Sequence, residues 1–369
     1  MSRDDHSAAL IERLTLASGL PGFEDDIAAI FSEELGGVSP SLPIVRDGIG
    51  NTLCYVNPAP GFGLEAEGAA AASSGVRIVL AAHMDEIGFI VSEIEPNGFL
   101  RLHNLGGWNP VTLPSSPVEV LTSSGSRVPG IIGNISPHFL KDRRSDVPEI
   151  PELFLDIGAV SAAEAAEIYA VSLGDPVVPV TSWNNNPATG CMMSKAFDDR
   201  IGVAALIEVG RRLAEHSDLE NHVCLAATVQ EEVGTRGAAV LANYCGADMA
   251  IIVEGAPADD VPGGPAQPQT ALRRGAHVRI FDPTMIPDRT LLAQLRGIAA
   301  EHSIRIQEAV RRAGGTDGRE IHLAGKGIPS VVTGVPVRYA HSHNCMASLD
   351  DFHQLVDLLT AFCLDASRV

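Results

Sequence analysis

The chain has 369 residues, 45% hydrophobic and only 5% aromatic, with a formal net charge of −20. That length suits two domains, or one large domain carrying an insertion, and its core must be packed mostly by Ala, Val, Leu and Ile. The acidic balance argues against nucleic acid and against an anionic membrane surface as partners. No apolar run approaches a membrane span, and Met1–Ser7 is polar with no apolar stretch behind it. The six cysteines include no C-x-x-C pair and read as reduced thiols of a cytoplasmic protein.

In chain order, Ala8–Ala17 has helical spacing, with Leu10, Ile11, Leu14 and Leu16 able to share a face. Ser18-Gly19-Leu20-Pro21-Gly22 breaks it, and a second helix is expected from Glu24 to Leu35. Gly48–Val56 reads as a strand entered through a glycine turn. Residues 58–75, rich in Gly, Ala and Ser, read as a surface loop. Val76–Ala82 is a buried strand ending at His83-Met84-Asp85. From Ile90 to Pro179 short β-like runs (Gly98–Leu102, Val118–Leu121, Val128–Ile132, Leu153–Ile157) alternate with Gly, Pro and Ser turns. One helix is expected there, Ser161–Tyr169, with Ser161 as its cap and Glu164 three residues on. This β-rich region lies between two strand-helix blocks, so it reads as an insertion.

After Lys195 strands and helices alternate. Helices are expected over Ile201–Ala214, Ala238–Tyr244, Pro287–His302 and Leu349–Ala366. Strands are expected over His222–Thr228, Met249–Val253, Ala276–Phe281, Ile304–Gln307 and Ile328–Thr333, with a Pro/Gly-rich loop at Ala256–Gln269. This rhythm implies an α/β fold: a mainly parallel sheet with helices on both faces and an inserted small β-rich domain.

In such folds, sites collect at the carboxyl ends of strands. Glu231 and Glu232 follow the strand His222–Thr228. Two adjacent carboxylates at the end of a core strand are costly to keep for packing alone. Either they are a solvated pair, or one binds a cation while the other takes a proton from bound water. His83-x-Asp85 is either a hydrogen-bonded structural histidine or a ligand oriented by a carboxylate. Asp198 and Asp199 open the helix Ile201–Ala214. One of them caps it, or Asp198 bridges two cations while Arg200 neutralises Asp199. Glu254, directly after Ile251-Ile252-Val253, is a strand-end surface residue or a ligand. Either His341 or His343 could join them. Mixed imidazole and carboxylate donors with an Asp bridge suit two divalent cations, zinc foremost, with cobalt or manganese as alternatives.

These residues resemble the tetrahedral (TET) aminopeptidase family of co-catalytic metallopeptidases. The likeness runs nearly end to end. Ser18-Gly-Leu-Pro-Gly-Phe-Glu24, Asp47-Gly-Ile-Gly-Asn51, Ala82-His-Met-Asp-Glu-Ile-Gly-Phe89, Asp198-Asp-Arg-Ile-Gly202, Gln230-Glu-Glu-Val-Gly234 and Arg338-Tyr-Ala-His-Ser342 carry it, and Gly314-Gly-Thr-Asp317 is similar to a family loop near the site. The resemblance implies a zinc-peptidase-like catalytic domain over 1–90 plus 180–369, with 91–179 an inserted dimerisation domain. It implies that His83 and Glu254 hold one metal, that Glu232 and His341 hold the other, and that Asp198 bridges them. Asp85 would orient His83, and Glu231 would be the general base. The activity implied is hydrolysis of the N-terminal residue of short peptides through a water between the metals. The assembly implied is a homo-oligomer built from dimers, up to a tetrahedral dodecamer. The chain departs from the family at Glu254, where Asp is usual, at His343 and Cys345, where Pro and Glu are common, and at Arg319 and Glu320, where small residues are usual. Two other readings use the same residues: a metal-dependent deacylase or carboxypeptidase acting on N-acyl amino acids, and an inactive shell protein. A glycosidase would need two carboxylates flanking a sugar and no histidines.

Overall fold

The Ser2 hydroxyl accepts the Asp5 N–H and the Asp5 carboxylate accepts the Ser2 N–H, a capping box that starts α1 (Arg3–Leu16) ahead of the apolar spacing. The computed structural model describes residues 2–39, 42–59, 62, 75–139 and 148–369. The expected loop at 58–75 therefore lies mostly outside the described residues.

Helix α2 (Asp25–Gly36) is followed by a strand the sequence reading omits, β1 (Ile44–Arg46), and by β2 (Thr52–Val56) and β3 (Arg77–His83). Next come β4 (Gly88–Ile94), β5 (Leu100–Leu105), β6 (Pro117–Leu121), β7 (Arg127–Ile132), β8 (Phe154–Asp156), the short helix α3 (Ala162–Glu167) and β9 (Pro176–Pro179). Ser161 caps α3 by accepting the Glu164 N–H, as expected. The chain continues through β10 (Asn184–Asn186), β11 (Cys191–Ser194), α4 (Phe197–Ala214), β12 (His222–Thr228), α5 (Arg236–Leu241) and β13 (Met249–Pro257). It closes with β14 (Ala276–Phe281), α6 (Arg289–Glu301), β15 (Ile306–Val310), α7 (Gly318–Ile321), β16 (Ser330–Val337), β17 (Cys345–Ser348) and α8 (Leu349–Asp365).

Eight strands form one sheet in the order β1-β2-β12-β3-β13-β16-β14-β15. The central four, β12, β3, β13 and β16, are mutually parallel, whereas β1-β2, β2-β12 and β16-β14 are antiparallel. The sheet is thus mixed with a parallel centre. Strands β2, β3, β12 and β16 are buried along almost their whole length, as a sheet covered on both faces requires. On one face α4, α6 and α8 pack Leu206, Leu295 and Phe352 onto it, and on the other α5 and α7 contribute Leu241 and Ile321.

The region between Gly88 and Pro179 closes into a six-stranded barrel, β4-β5-β8-β7-β6-β9. Val118 and Val120 of β6 point inward while Pro117 and Glu119 do not, the alternation of a half-covered strand. A small antiparallel sheet is formed by β10-β11-β17.

β13 runs on past the expected Met249–Val253 because it pairs with β16 from Ala250↔Ser330 to Pro257↔Val337, where the extension of β16 around Val335–Val337 is as expected. Glu254 therefore stands inside a strand rather than after it. No helix of the described residues is long and apolar enough to cross a membrane, and all six cysteines are unpaired thiols.

Candidate metal centre

The four parallel strands end at one edge, and each delivers a polar side chain there. His83 is the last residue of β3, and Glu231 and Glu232 follow β12, whose Thr228 is in register with His83. Glu254 projects from β13, and His341 follows β16. Asp198 arrives from the start of α4, where Asp198 and Asp199 are not helical and are joined by a cis peptide. Gly255 admits it: a Cβ there would meet the Asp198 Cα at 2.7 Å. Ala196, Gln230, Thr235, Tyr339 and His341 all have φ between +52° and +61°. Several left-handed residues without glycine around one cleft are a strain pattern typical of functional sites.

The imidazoles are fixed by carbonyls, which can only accept. His83 Nδ1 lies 3.0 Å from the Asp85 carbonyl and His341 Nδ1 lies 2.6 Å from the Gly107 carbonyl. Each Nδ1 carries a proton, so Nε2 is the nitrogen that a cation would take once it replaces the second proton of the ring. His83 Nε2 is 3.2 Å from Asp198 Oδ1 and 3.9 Å from Glu254 Oε2. His341 Nε2 is 3.5 Å from Asp198 Oδ2 and 3.4 Å from Glu232 Oε1. The two oxygens of Asp198 thus face different histidines.

Carboxylates outnumber cations here, and the titration of each group reflects it. Burial, then repulsion from Glu254, Asp317 and Glu232, holds Glu231 well above the usual carboxylate range. Burial and the charge of Asp198 push Glu232 up to about 7. Burial and the charges of Asp199 and Asp198 raise Glu254 strongly. Burial opposes a proton on His341, but its hydrogen bond with Asp198 and the charges of Glu232 and Asp198 prevail and push it up to about 10. His83 is raised in the same way, by Asp198 and Asp85 against burial.

A divalent cation answers the same demand for positive charge. One ligand atom each from His83, Asp198 and Glu232 lie within 4.8 Å of one another, as do those of His83, Asp199 and Glu254. Glu254 Oε1 is buried with no hydrogen-bond partner among the described residues. The donor set therefore fits metal binding.

All the expected residues meet at this cleft. The cap of the helix, left open between the two aspartates, is Asp199: its carboxylate accepts the Gly202 N–H at 3.1 Å and the His83 N–H at 3.2 Å. Both its oxygens are engaged by backbone, which leaves Asp198 for a cation. Arg200 does not neutralise Asp199. Its buried guanidinium donates to the carbonyls of Leu14, Ala17 and Gly19 and to Glu86. Asp85 touches His83 mainly through its carbonyl, while its carboxylate accepts the N–H groups of Glu231 at 2.9 Å and Glu232 at 3.0 Å. The second histidine, His343, is buried against Trp108 at 5.2 Å between ring centroids, with both nitrogens unpartnered among the described residues. It takes no place in the cluster.

Beyond the ligands the cleft opens to about 350 Å³, lined by Arg279, Arg311 and Arg319. Sequence reading singled out Arg319 alone. The available signal for Arg279 was a charge inside the apolar strand Ala276–Phe281. Asp317 sits below Glu231's strand, hydrogen-bonded to the Thr228 hydroxyl, and burial pushes it up to about 6.

A family model described as M42 glutamyl aminopeptidase matches residues 66–358. The glutamyl aminopeptidase of Lactococcus lactis subsp. cremoris is 35% identical over 287 residues, covering 77% of this chain and 79% of that protein. The crystal structure of a TET aminopeptidase from the marine sediment archaeon Thaumarchaeota archaeon SCGC AB-539-E09 superposes with a TM-score of 0.89 at 36% identity, covering 98% of each chain. The Pyrococcus horikoshii TET1 peptidase, described as able to assemble into a tetrahedron or a large octahedral shell, superposes at 0.83 with 30% identity, covering 98% of this chain and 100% of that one.

Proposed function

The chain belongs to the M42 glutamyl aminopeptidase family and is a metal-dependent aminopeptidase, and we propose that it works with two divalent cations on the N-terminal residue of short peptides. The observation that carries this is the placing of Asp198 between two imidazole nitrogens, His83 Nε2 and His341 Nε2. In this reading His83 and Glu254 would hold one cation, Glu232 and His341 would hold the other, and Asp198 would be shared between them. Zinc is the metal of choice for such donors, with cobalt or manganese able to replace it. When bound, the pair supplies Lewis-acid charge that lowers the pKa of a water and polarises the scissile carbonyl.

Glu231 is the one carboxylate of the Glu pair left without a ligand role. It takes the water's proton and returns it to the leaving amine. Asp85 holds the peptide groups of both glutamates and, through its carbonyl, the tautomer of His83. The arginines of the cleft support a preference for an acidic N-terminal side chain, in keeping with the name of the Lactococcus lactis relative.

The chain divides, in this proposal, into a zinc-peptidase-like catalytic part (1–90 and 180–369) and an inserted barrel (91–179) that mediates dimerisation. Exposed Ile131, Ile135, Val160, Ile168 and Leu173 on or beside the barrel support an apolar contact surface. Higher assembly, up to a tetrahedral dodecamer in a reducing cytoplasm, follows the precedent of the relatives with assembled shells.

The test is hydrolysis of a panel of aminoacyl-p-nitroanilides with one N-acetylated control, before and after chelation and metal add-back. Cleavage of free-amine substrates that stops on chelation and returns with metal, glutamyl and aspartyl fastest, is expected. Cleavage of the acetylated control would replace the aminopeptidase by a deacylase.

A further inference from the structure

Three recesses border His341, and one of them, beside Trp108 and Lys195, has room for only about 10 Å³, too little for a side chain, which leaves two. On one side lies the arginine-lined cleft, which contains every proposed ligand. On the other is a more open recess of about 480 Å³ that shares only His341 with the ligand set. Its chemistry is different. Met193 and Met346 line it, and they stand directly opposite each other on the antiparallel strands β11 and β17. Directly opposed residues have Cβ atoms about 4.5–5.5 Å apart, so the two thioethers make one continuous apolar floor. Tyr339, 53% exposed, lines it as well. Two amides line it too, beside the hydroxyls of Thr112 and Ser342. Asn109 spends its oxygen on the Val111 N–H and Asn344 spends its own on the Thr181 hydroxyl, so their NH₂ groups remain as donors. Neither metal binding nor proton transfer uses any of these side chains.

We propose that this recess receives the second residue of the peptide, the one after the scissile bond, and selects apolar side chains there. The inference rests on the aminopeptidase reading above. A peptide bond held among the ligands must send its first residue one way and the leaving chain another. Successive Cα atoms are 3.8 Å apart and successive side chains of an extended peptide point to opposite sides. The second side chain therefore lands one residue's reach from His341, on the side away from the first. The cleft that holds all the ligands takes the first residue, and the recess across His341 takes the second. Paired methionines are unbranched and polarizable, so they fit apolar side chains of several shapes rather than one. The amide NH₂ groups match the carbonyls of the leaving chain.

The experiment compares glutamyl-X-glycine peptides with X = Leu, Phe, Gly or Asp, on metal-loaded full-length protein. Wild type is expected to favour Leu and Phe over Gly and Asp in kcat/KM by roughly tenfold or more. Met346→Lys should raise the Asp/Leu ratio by a similar factor, and Met193→Ser should lower the Leu/Gly ratio. Ratios within one preparation cancel the active fraction, so partial misfolding of either variant does not obscure the result. A second series varying the first residue should keep its order in both variants. Calorimetry of the same peptides on Glu231→Gln protein should rank their Kd values in the same order. A flat preference for X in wild type overturns the proposal, as does a variant that moves the first-residue preference instead of the second. Absence of hydrolysis with every free-amine peptide overturns the aminopeptidase reading itself, a separate outcome.

Discussion

Replacing Asp85 by Asn changes one oxygen to NH₂ at the point where Glu231 and Glu232 are held. In the native protein the two carboxylate oxygens accept one backbone N–H each, at 2.9 and 3.0 Å, and Asp85 has no exposed surface. An amide keeps one acceptor. The other N–H then faces a donor, so one charge-assisted bond of roughly 1.5–3 kcal/mol is lost and one N–H is left unsatisfied at about 1–3 kcal/mol. Because both N–H groups belong to half-buried residues, the low end applies, about 2.5 kcal/mol in all. If that distortion falls on the position of Glu231, kcat/KM should drop by about two orders of magnitude, at about 1.4 kcal/mol per tenfold. The contact from the Asp85 carbonyl to His83 is untouched, so two metal equivalents should stay bound. The assay is hydrolysis of glutamyl-p-nitroanilide with metal counted by mass spectrometry on the same sample. An Asp85→Asn protein with wild-type kcat/KM would refute the argument. One that loses metal in proportion to activity would return the carboxylate to the role of orienting His83.

Other outcomes follow from the same geometry. Glu231→Gln should abolish turnover while retaining both cations, and near-normal turnover would remove Glu231 as the base. His83→Ala and Asp198→Asn should each lose bound metal, with Asp198→Asn weakening both sites, since its oxygens face both histidines. Arg319, more than half exposed, should contribute modestly to acidic preference: Arg319→Ala is expected to lower the Glu/Leu ratio at the first residue roughly two- to fivefold. Burial, then the charges of Arg279 and Arg311, holds His277 well below its ordinary value of 6.5, so it is neutral when folded and takes up a proton on unfolding. Its contribution to stability is therefore complete above about pH 6.5 and falls with further acidification by up to about 1.4 kcal/mol per pH unit. His277→Gln should show a shallower loss of Tm between about pH 7 and 5 than wild type, and identical slopes would contradict the buried neutral assignment.

Composition and local pattern determined much of this molecule. The runs His222–Thr228 and Ala276–Phe281 are strands over the expected residues because short apolar, β-branched segments bounded by turns have few other ways to be buried. Residues of the right chemistry at the ends of such strands, His83, Glu231 and Glu232, pointed to the edge where the cleft lies, and the motifs around them carried the family likeness. Local pattern could not say which strands are neighbours. The order β12-β3-β13-β16, which brings those residues into one cleft, is a set of pairings between segments far apart in sequence. The same pairings lengthened β13 beyond its apolar stretch and placed Glu254 inside it. Closure of residues between Gly88 and Pro179 into a barrel was equally non-local. At finer scale, tertiary contacts divided roles that adjacency left open: Asp199 to the backbone and Asp198 to the imidazoles, Arg200 to Glu86, His341 to the site and His343 to Trp108. Sequence supplies the donors and acceptors, but which of them meet depends on the angle and reach of each side chain once the sheet is assembled, and that is a property of packing.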